Sequence, residues 1–90
     1  MEASAVRFRA AADVETSGVG DRVVLYHRGS KKALVLNPTG SFLWARLDGP
    51  RSKDELTGFL LERYPALEPA RARLDTDAFV AELALHQMLA

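Results

Sequence analysis

The sequence predicts an α+β fold of winged-helix-like shape, in which a three-stranded antiparallel N-terminal sheet is followed by three helices. Two observations predict it. The first 37 residues hold β-branched and aromatic runs separated by turn residues, which is typical of a strand meander. Residues 38–90 instead carry apolar residues at helical spacing and two clear helix starts. We expect the change from strand to helix within Lys31–Gly40, whose sequence is KKALVLNPTG.

Three strands are expected before this change. The first falls near residues 13–18, and the second covers Arg22–His27, where RVVLYH is the strongest strand pattern in the chain. A turn at residues 28–31 leads into the third strand, Lys32–Leu36. Basic residues flank this turn, either to protect the strand edge or to form a basic rim for an acidic partner.

The chain is expected to divide into an N-terminal arm, residues 1–12, and one domain, residues 13–90. Residues 1–5 look loose, whereas residues 6–12 alternate briefly, as a strand or an ordered arm would. A length of 90 residues allows one domain with a modest core.

The first helix is expected over Pro38–Leu47. Asn37 is suited to cap its start, and Pro38 fits the first helical position because no intrahelical partner exists for that N–H. Gly49 is suited to a left-handed C-cap, and Pro50 prevents the helix from continuing.

The second helix start is well signalled because Ser52 and Glu55 form a capping-box pattern. Its inner face is predicted to carry Leu56, Phe59, Leu60 and Tyr64. Pro65 is expected to stop it, and residues 66–71 are interpreted as a linker around Pro69.

The third helix is expected to begin between Arg71 and Asp75 and to end near Met88. Asp75 and Asp77 are interpreted as N-terminal residues that cap this helix and complement its dipole. Its apolar residues form two arcs on a helical wheel: a core arc of Thr76, Phe79, Val80 and Leu83, and a second stripe of Leu74, Ala78, Ala81 and Leu85. Two alternatives remain open for the second stripe, burial or contact with a partner.

Composition and motifs exclude most kinds of chemistry. The 12 basic and 12 acidic side chains cancel, which argues against a nucleic-acid binder with a basic excess. The chain has no cysteine, hence no disulfide and no thiolate ligand. His27 and His86 lie on different elements, and Asp75 and Asp77 point in different directions on a helix. We therefore expect no enzyme, no metal and no cofactor.

No apolar run approaches the length of a membrane span, and the N-terminus lacks a signal pattern. A cytoplasmic protein without a membrane partner is expected.

A set of ordered motifs over residues 13–90 resembles the PqqD-like family, the recognition elements that bind ribosomally made, modified peptides. The motifs are Leu36-Asn37 with Thr39-Gly40, Leu43-Trp44, Leu47-Asp48-Gly49, Ser52 to Leu56, and Asp75 with Phe79, Val80 and Leu83. The family often has a glycine before its last apolar residues, whereas this chain has Gln87-Met88-Leu89.

The resemblance implies a protein that holds the leader region of a precursor peptide and presents the rest to a separate leader peptidase or modifying enzyme. In the family, the leader adds as a strand beside the third strand, in a groove closed by the third helix. One groove wall would then come from Lys32, Leu34 and Leu36, or alternatively from Ala33 and Val35. The other would come from Leu74, Ala78, Ala81 and Leu85, with Arg73 and Asp77 as rim contacts.

The NPTG helix entry resembles stand-alone members of lasso-peptide clusters, and a chaperone for the precursor of pyrroloquinoline quinone is the weaker match. Two rival interpretations remain. One is a winged-helix nucleic-acid-binding protein, which acidic residues on the third helix disfavour. The other is a module that dimerises through its edge strand, so the chain is expected to be a monomer or a weak homodimer.

Overall fold

A computed structural model describes residues 6–90, so the expected looseness of residues 1–5 lies outside the described residues. The elements in chain order are strands β1 (Val14–Val19), β2 (Arg22–His27) and β3 (Lys32–Leu36), and helices α1 (Pro38–Trp44), α2 (Lys53–Arg63) and α3 (Pro69–Leu85). This order confirms the predicted α+β fold, and the bounds of β2 and β3 are those expected from the sequence.

The three strands form one antiparallel sheet in the order β1-β2-β3. Because side chains alternate between the faces of a strand, one face of this sheet packs on the helices and the other does not. Leu25, Leu34 and Leu36 are buried on the helix side. We call the opposite side the outer face; on β2 and β3 it carries Val24, Tyr26, Ala33 and Val35.

The core lies between the inner face of the sheet and the helices. Its buried apolar residues are Leu25, Leu34, Leu36, Leu43, Leu47, Leu56, Leu60, Ala72, Phe79, Val80, Leu83 and Met88. Aliphatic side chains predominate in this set, and each fully buried leucine contributes about 1.5–3 kcal/mol relative to an exposed one.

Helix α1 starts as predicted and ends early. Asn37 Oδ1 accepts a hydrogen bond from the N–H of Gly40 at 2.7 Å, and Pro38 occupies the first turn. The helix ends at Trp44, so the predicted end at Leu47 is wrong, and the C-cap is Ala45 instead of Gly49. The chain continues in a tighter turn, since the N–H of Leu47 donates to the carbonyl of Trp44, three residues back.

Helix α2 has the capping box that the sequence predicts. Ser52 Oγ accepts from the N–H of Glu55 at 3.1 Å, and the Ser52 N–H donates to Glu55 Oε1 at 2.9 Å. This backbone hydrogen bond is the largest cause of the lowered pKa of Glu55; desolvation opposes it, and the guanidinium groups of Arg7 and Arg51 lower the pKa further.

Helix α3 begins at Pro69, so the predicted linker at residues 66–71 and the later start are wrong. Proline interrupts most helices, but at the first position it loses no hydrogen bond and already has a helical φ. Asp75 and Asp77 therefore lie well inside the helix and do not cap it. The N-cap residue is Glu68, whose side chain makes no capping bond.

The end of α3 at Leu85, short of the expected Met88, is a Schellman motif without glycine. The N–H of Met88 donates to the carbonyl of Leu83 at 2.8 Å, and the N–H of Gln87 donates to the carbonyl of Ala84 at 3.2 Å. Gln87 has φ 61°, the left-handed conformation that favours glycine.

The arm that precedes β1 is ordered in residues 6–12. Phe8 and Arg51 exchange two backbone hydrogen bonds at 2.7 and 2.9 Å, and the N–H of Ala11 donates to the carbonyl of Met88 at 2.9 Å. The arm thus ties the loop before α2 to the C-terminus.

Gln87→Gly is expected to stabilise the protein. A non-glycine residue in the left-handed region costs about 1–2 kcal/mol, and glycine gives back about 0.5–1 kcal/mol as extra unfolded-state entropy. Urea unfolding should therefore show a gain of roughly 0.5–1 kcal/mol. Gln87→Ala is the matched control and should show no gain; equal stability of the two variants would contradict the account.

Candidate functional site

Alternate residues of β2 direct their backbone N–H and C=O groups to β1 and to β3. The N–H of Arg28, directly after β2, donates to the carbonyl of Asp13, directly before β1, at 3.0 Å. The carbonyl of His27 accepts from the N–H of Lys31, directly before β3, at 2.7 Å. Because the N–H and C=O of one residue point the same way in an antiparallel ladder, odd-numbered residues of β2 face β3.

The strand register then identifies the backbone groups on the open edge of β3. Lys32, Leu34 and Leu36 lie opposite odd-numbered residues of β2, so their N–H and C=O groups point to β2. The backbone groups of Ala33 and Val35 point the other way. Within residues 6–90, β3 has no strand neighbour on that side. This edge therefore offers two N–H and two C=O groups to a further strand.

The opposite edge of the sheet, β1, is flanked by a side chain from α1. The indole N–H of Trp44 donates to Thr16 Oγ1 at 3.2 Å. Trp44 is half-buried there against the core. A cleft lined by Val14, Thr16 and Trp44 lies on this side of the sheet, and another lies beside the end of β3.

This cleft has a volume of about 210 Å³ and separates the end of β3 and the start of α1 from α3. Its lining residues are Leu36, Asn37, Thr39 and Gly40 on one wall, and Arg71, Asp75, Ala78, Phe79 and Glu82 on the other. The walls meet at Gly40, where a Cβ would make an ordinary 3.5 Å contact with the Phe79 ring and a tight 3.2 Å contact with Asn37 Oδ1.

The α3 wall of the cleft is polar and carries net negative charge. Arg71 Nε and Asp75 Oδ1 are 3.1 Å apart, an i,i+4 ion pair. Glu82, about two turns after Asp75, adds a second carboxylate to this wall. Two carboxylates and one guanidinium would repel phosphate groups and suit a polar or basic side chain.

The second stripe of α3 is exposed, so the alternative of full burial is wrong. Leu74 is 64% and Leu85 is 75% exposed, whereas the core arc is buried. Of the four stripe residues, Ala78 lines the cleft. Leu74, Ala81 and Leu85 lie further round the helix, next to Ala78 and outside the lining.

The predicted rim residues, Arg73 and Asp77, lie on a different side of α3 and do not join the cleft. Arg73 Nη1 is 2.7 Å from Asp54 Oδ1, and Asp77 Oδ1 is 3.2 Å from Lys53 Nζ. Both partners belong to the first turn of α2. Arg73 and Asp77 therefore hold α3 against α2, and the prediction that they line the rim is wrong.

The two sets of β3 residues proposed for the groove wall lie on opposite faces of the sheet. Leu34 and Leu36 are buried on the inner face, with Leu36 in the cleft lining, while Lys32 is exposed. Ala33 and Val35 are exposed on the outer face.

Part of the cleft lining is not among the residues predicted from the sequence. The missed residues are Asn37, Thr39 and Gly40 at the helix entry, and Arg71, Asp75, Phe79 and Glu82 on α3. A signal for the three polar α3 residues existed, because they lie on the wheel between the two apolar arcs. The sequence does not show that this side of α3 faces the end of β3.

Residues 6–90 show no cluster of three or more metal-ligating side chains. None of the helices in this range is long and apolar enough to cross a membrane.

Comparison with known proteins gives a family and a set of shared folds. The family model described as coenzyme PQQ synthesis protein D (PqqD) matches residues 22–89. No curated protein matches the sequence.

Two solved structures share the fold. The structure of TbiB1 in complex with the TbiA(beta) leader peptide is 24% identical, with a TM-score of 0.80 over 90% of this chain and 93% of that one. A lasso peptide synthetase B1 complexed with the leader peptide is 27% identical, with a TM-score of 0.76 over 92% of this chain and 96% of that one.

Truncation of Leu83 should cost much more stability than truncation of Leu85. Leu83 is fully buried, so Leu83→Ala should cost about 2–5 kcal/mol. Leu85→Ala removes an exposed side chain and should cost less than about 0.5 kcal/mol. Chemical denaturation of both variants measures the difference. Comparable losses would mean that the second stripe is part of the core.

Proposed function

This chain belongs to the PqqD family, and from that premise we propose that it binds the leader region of a ribosomally synthesised precursor peptide and catalyses no reaction on it. The observation that carries the proposal is the open edge of β3 beside the α3 cleft. Binding would need no cofactor, because backbone groups and side-chain packing supply the contacts.

Strand addition explains how the edge would hold an extended peptide. Ala33 and Val35 offer their N–H and C=O groups to a strand lying alongside β3, and each hydrogen bond contributes about 0.5–1.5 kcal/mol. These bonds read no side chain, so they bind extended peptides generally.

The choice of peptide would come from the cleft. Side chains that project from the added strand towards the helices meet Leu36 and Ala78, with Phe79 below. The carboxylates of Asp75 and Glu82 flank this apolar base. A short or apolar side chain with a basic or polar neighbour fits this arrangement.

The role that we propose is delivery of a precursor to a separate leader peptidase or modifying enzyme, with the lasso-peptide type favoured. The 27% identical lasso peptide synthetase B1, solved with a leader peptide, supports this type because it covers almost the whole chain.

A chaperone for the precursor of pyrroloquinoline quinone is the second candidate, which the description of the matching family model favours. Nucleic-acid binding finds less support, because the net charge is zero and the α3 wall of the cleft is negative.

Titration separates these candidates. Synthetic leader peptides of lasso-type precursors, the precursor of pyrroloquinoline quinone and a random DNA duplex would be added in turn to the labelled chain at low salt. We expect saturable, submicromolar binding of a lasso-type leader. Tight, salt-sensitive binding of the duplex with none of a leader would overturn the proposal.

Proline scanning tests the edge directly. Val35→Pro removes an N–H that points to the open edge and should weaken leader binding by roughly tenfold while the fold survives. Leu34→Pro removes an N–H that points to β2 and should unfold or strongly destabilise the chain. Calorimetry and circular dichroism measure both effects. Full binding by folded Val35→Pro would exclude strand addition at this edge.

Filling the cleft provides an independent test. Ala78→Leu adds a bulky side chain to the cleft wall and should weaken leader binding several-fold with little change in stability, since Ala78 is exposed. Ala84→Leu is the matched control, because Ala84 is an exposed alanine of α3 outside the cleft lining. Equal affinity of the two variants would show that the peptide does not enter the cleft.

A further inference from the structure

The outer face of the sheet carries an apolar patch that borders the open edge of β3. Val35 is 57% and Tyr26 is 38% exposed on this face. Val24 lies opposite Val35 across the ladder, and Ala33 lies opposite Tyr26. Two cross-strand pairs thus form a small apolar surface on β2 and β3.

The patch does not extend evenly across the sheet. On β1 the same face carries Glu15 and Ser17, opposite Tyr26 and Val24, and at the end of the strand Val19, opposite Arg22. Glu15 Oε2 lies 3.5 Å from Arg28 Nη1, an exposed ion pair. Polar groups therefore border the patch towards β1. In the other direction the patch reaches the open edge of β3, where a further strand would lie.

Strand geometry decides which peptide side chains would reach this patch. In an added strand, side chains alternate between the two faces of the extended sheet. Those opposite Leu34 and Leu36 point to the cleft. Those opposite Ala33 and Val35 point to the outer face, and directly opposed residues have their Cβ atoms about 4.5–5.5 Å apart.

We propose that the peptide is recognised on both faces of the added strand, with β-branched or aromatic side chains opposite Ala33 and Val35 that pack on Val35 and, across the small Ala33, on Tyr26. This inference rests on the proposed function, because it requires strand addition to β3. It adds a requirement that the cleft does not impose: alternate apolar residues on the side of the peptide facing away from the helices.

The test selects peptides without assuming a sequence. A display library of random short peptides is panned on the immobilised full chain, and selected peptides are synthesised for titration. We expect β-branched or aromatic residues at alternate positions, and nuclear Overhauser contacts between their methyl or ring protons and the Val35 methyl groups.

Two matched variants then measure the contribution of the patch. Val35→Thr keeps the β-branched shape, replaces one methyl with a hydroxyl and should weaken the selected peptides about two- to fivefold. Val19→Thr makes the same change at a residue that is 66% exposed on the outer face of β1, with β2 and β3 between it and the peptide. It should leave affinity unchanged.

The outcomes distinguish this inference from the proposed function. Selected peptides that lose binding with Val35→Pro, yet show no preference at outward positions and no response to Val35→Thr, would overturn the outer-face requirement and leave strand addition intact. A library that yields no peptide sensitive to Val35→Pro would overturn strand addition, and this inference with it.

Discussion

The hydrogen bond between the Gly40 N–H and Asn37 Oδ1 determines much of this structure, because it turns the chain out of the sheet directly after β3. Pro38 reinforces the turn by fixing a helical φ at the first position of α1. The chain leaves the sheet before a fourth strand can follow, and within residues 6–90 no other segment takes that place. An edge with unsatisfied backbone groups is the consequence.

Helix α3 controls what can approach this edge. Its buried arc, with Phe79 and Leu83, anchors it to the core, and the ion pairs of Arg73 and Asp77 hold it to α2. Burial of this arc sets the rotation of the helix about its axis, and the ion pairs lie on the side that this rotation turns to α2. The rotation in turn directs Asp75, Ala78 and Glu82 to the cleft. The backbone of β3 can thus bind any extended peptide, while the side chains of α3 beside it can select among peptides. Selective strand addition requires both contributions.

The strands and helices are largely predictable from local sequence patterns, whereas the composition of the site depends on how these elements pack together. The strands β2 and β3 were predictable because alternation and turn residues bound them, and α2 was predictable from the Ser52 capping box. The start of α3 was not, because a proline reads equally as a linker residue or as a first helical residue.

The same limit explains the errors within the site. A helical wheel gives the angle between two residues of α3 but not the direction of its neighbours. Arg73 and Asp77 were therefore assigned to the rim, although Asp54 and Lys53 of α2 bind them. Likewise, the backbone groups of β3 that face outward became identifiable from hydrogen bonds at both ends of β2, such as that between Lys31 and His27.

Amide hydrogen exchange of β3, with and without a bound leader peptide, tests the central claim most directly. Without peptide, the Ala33 and Val35 amides should exchange quickly and those of Leu34 and Leu36 slowly, because the latter point to β2. With peptide, Ala33 and Val35 should become protected. A leader peptide that binds while the Ala33 and Val35 amides still exchange at their original rates would contradict strand addition at β3.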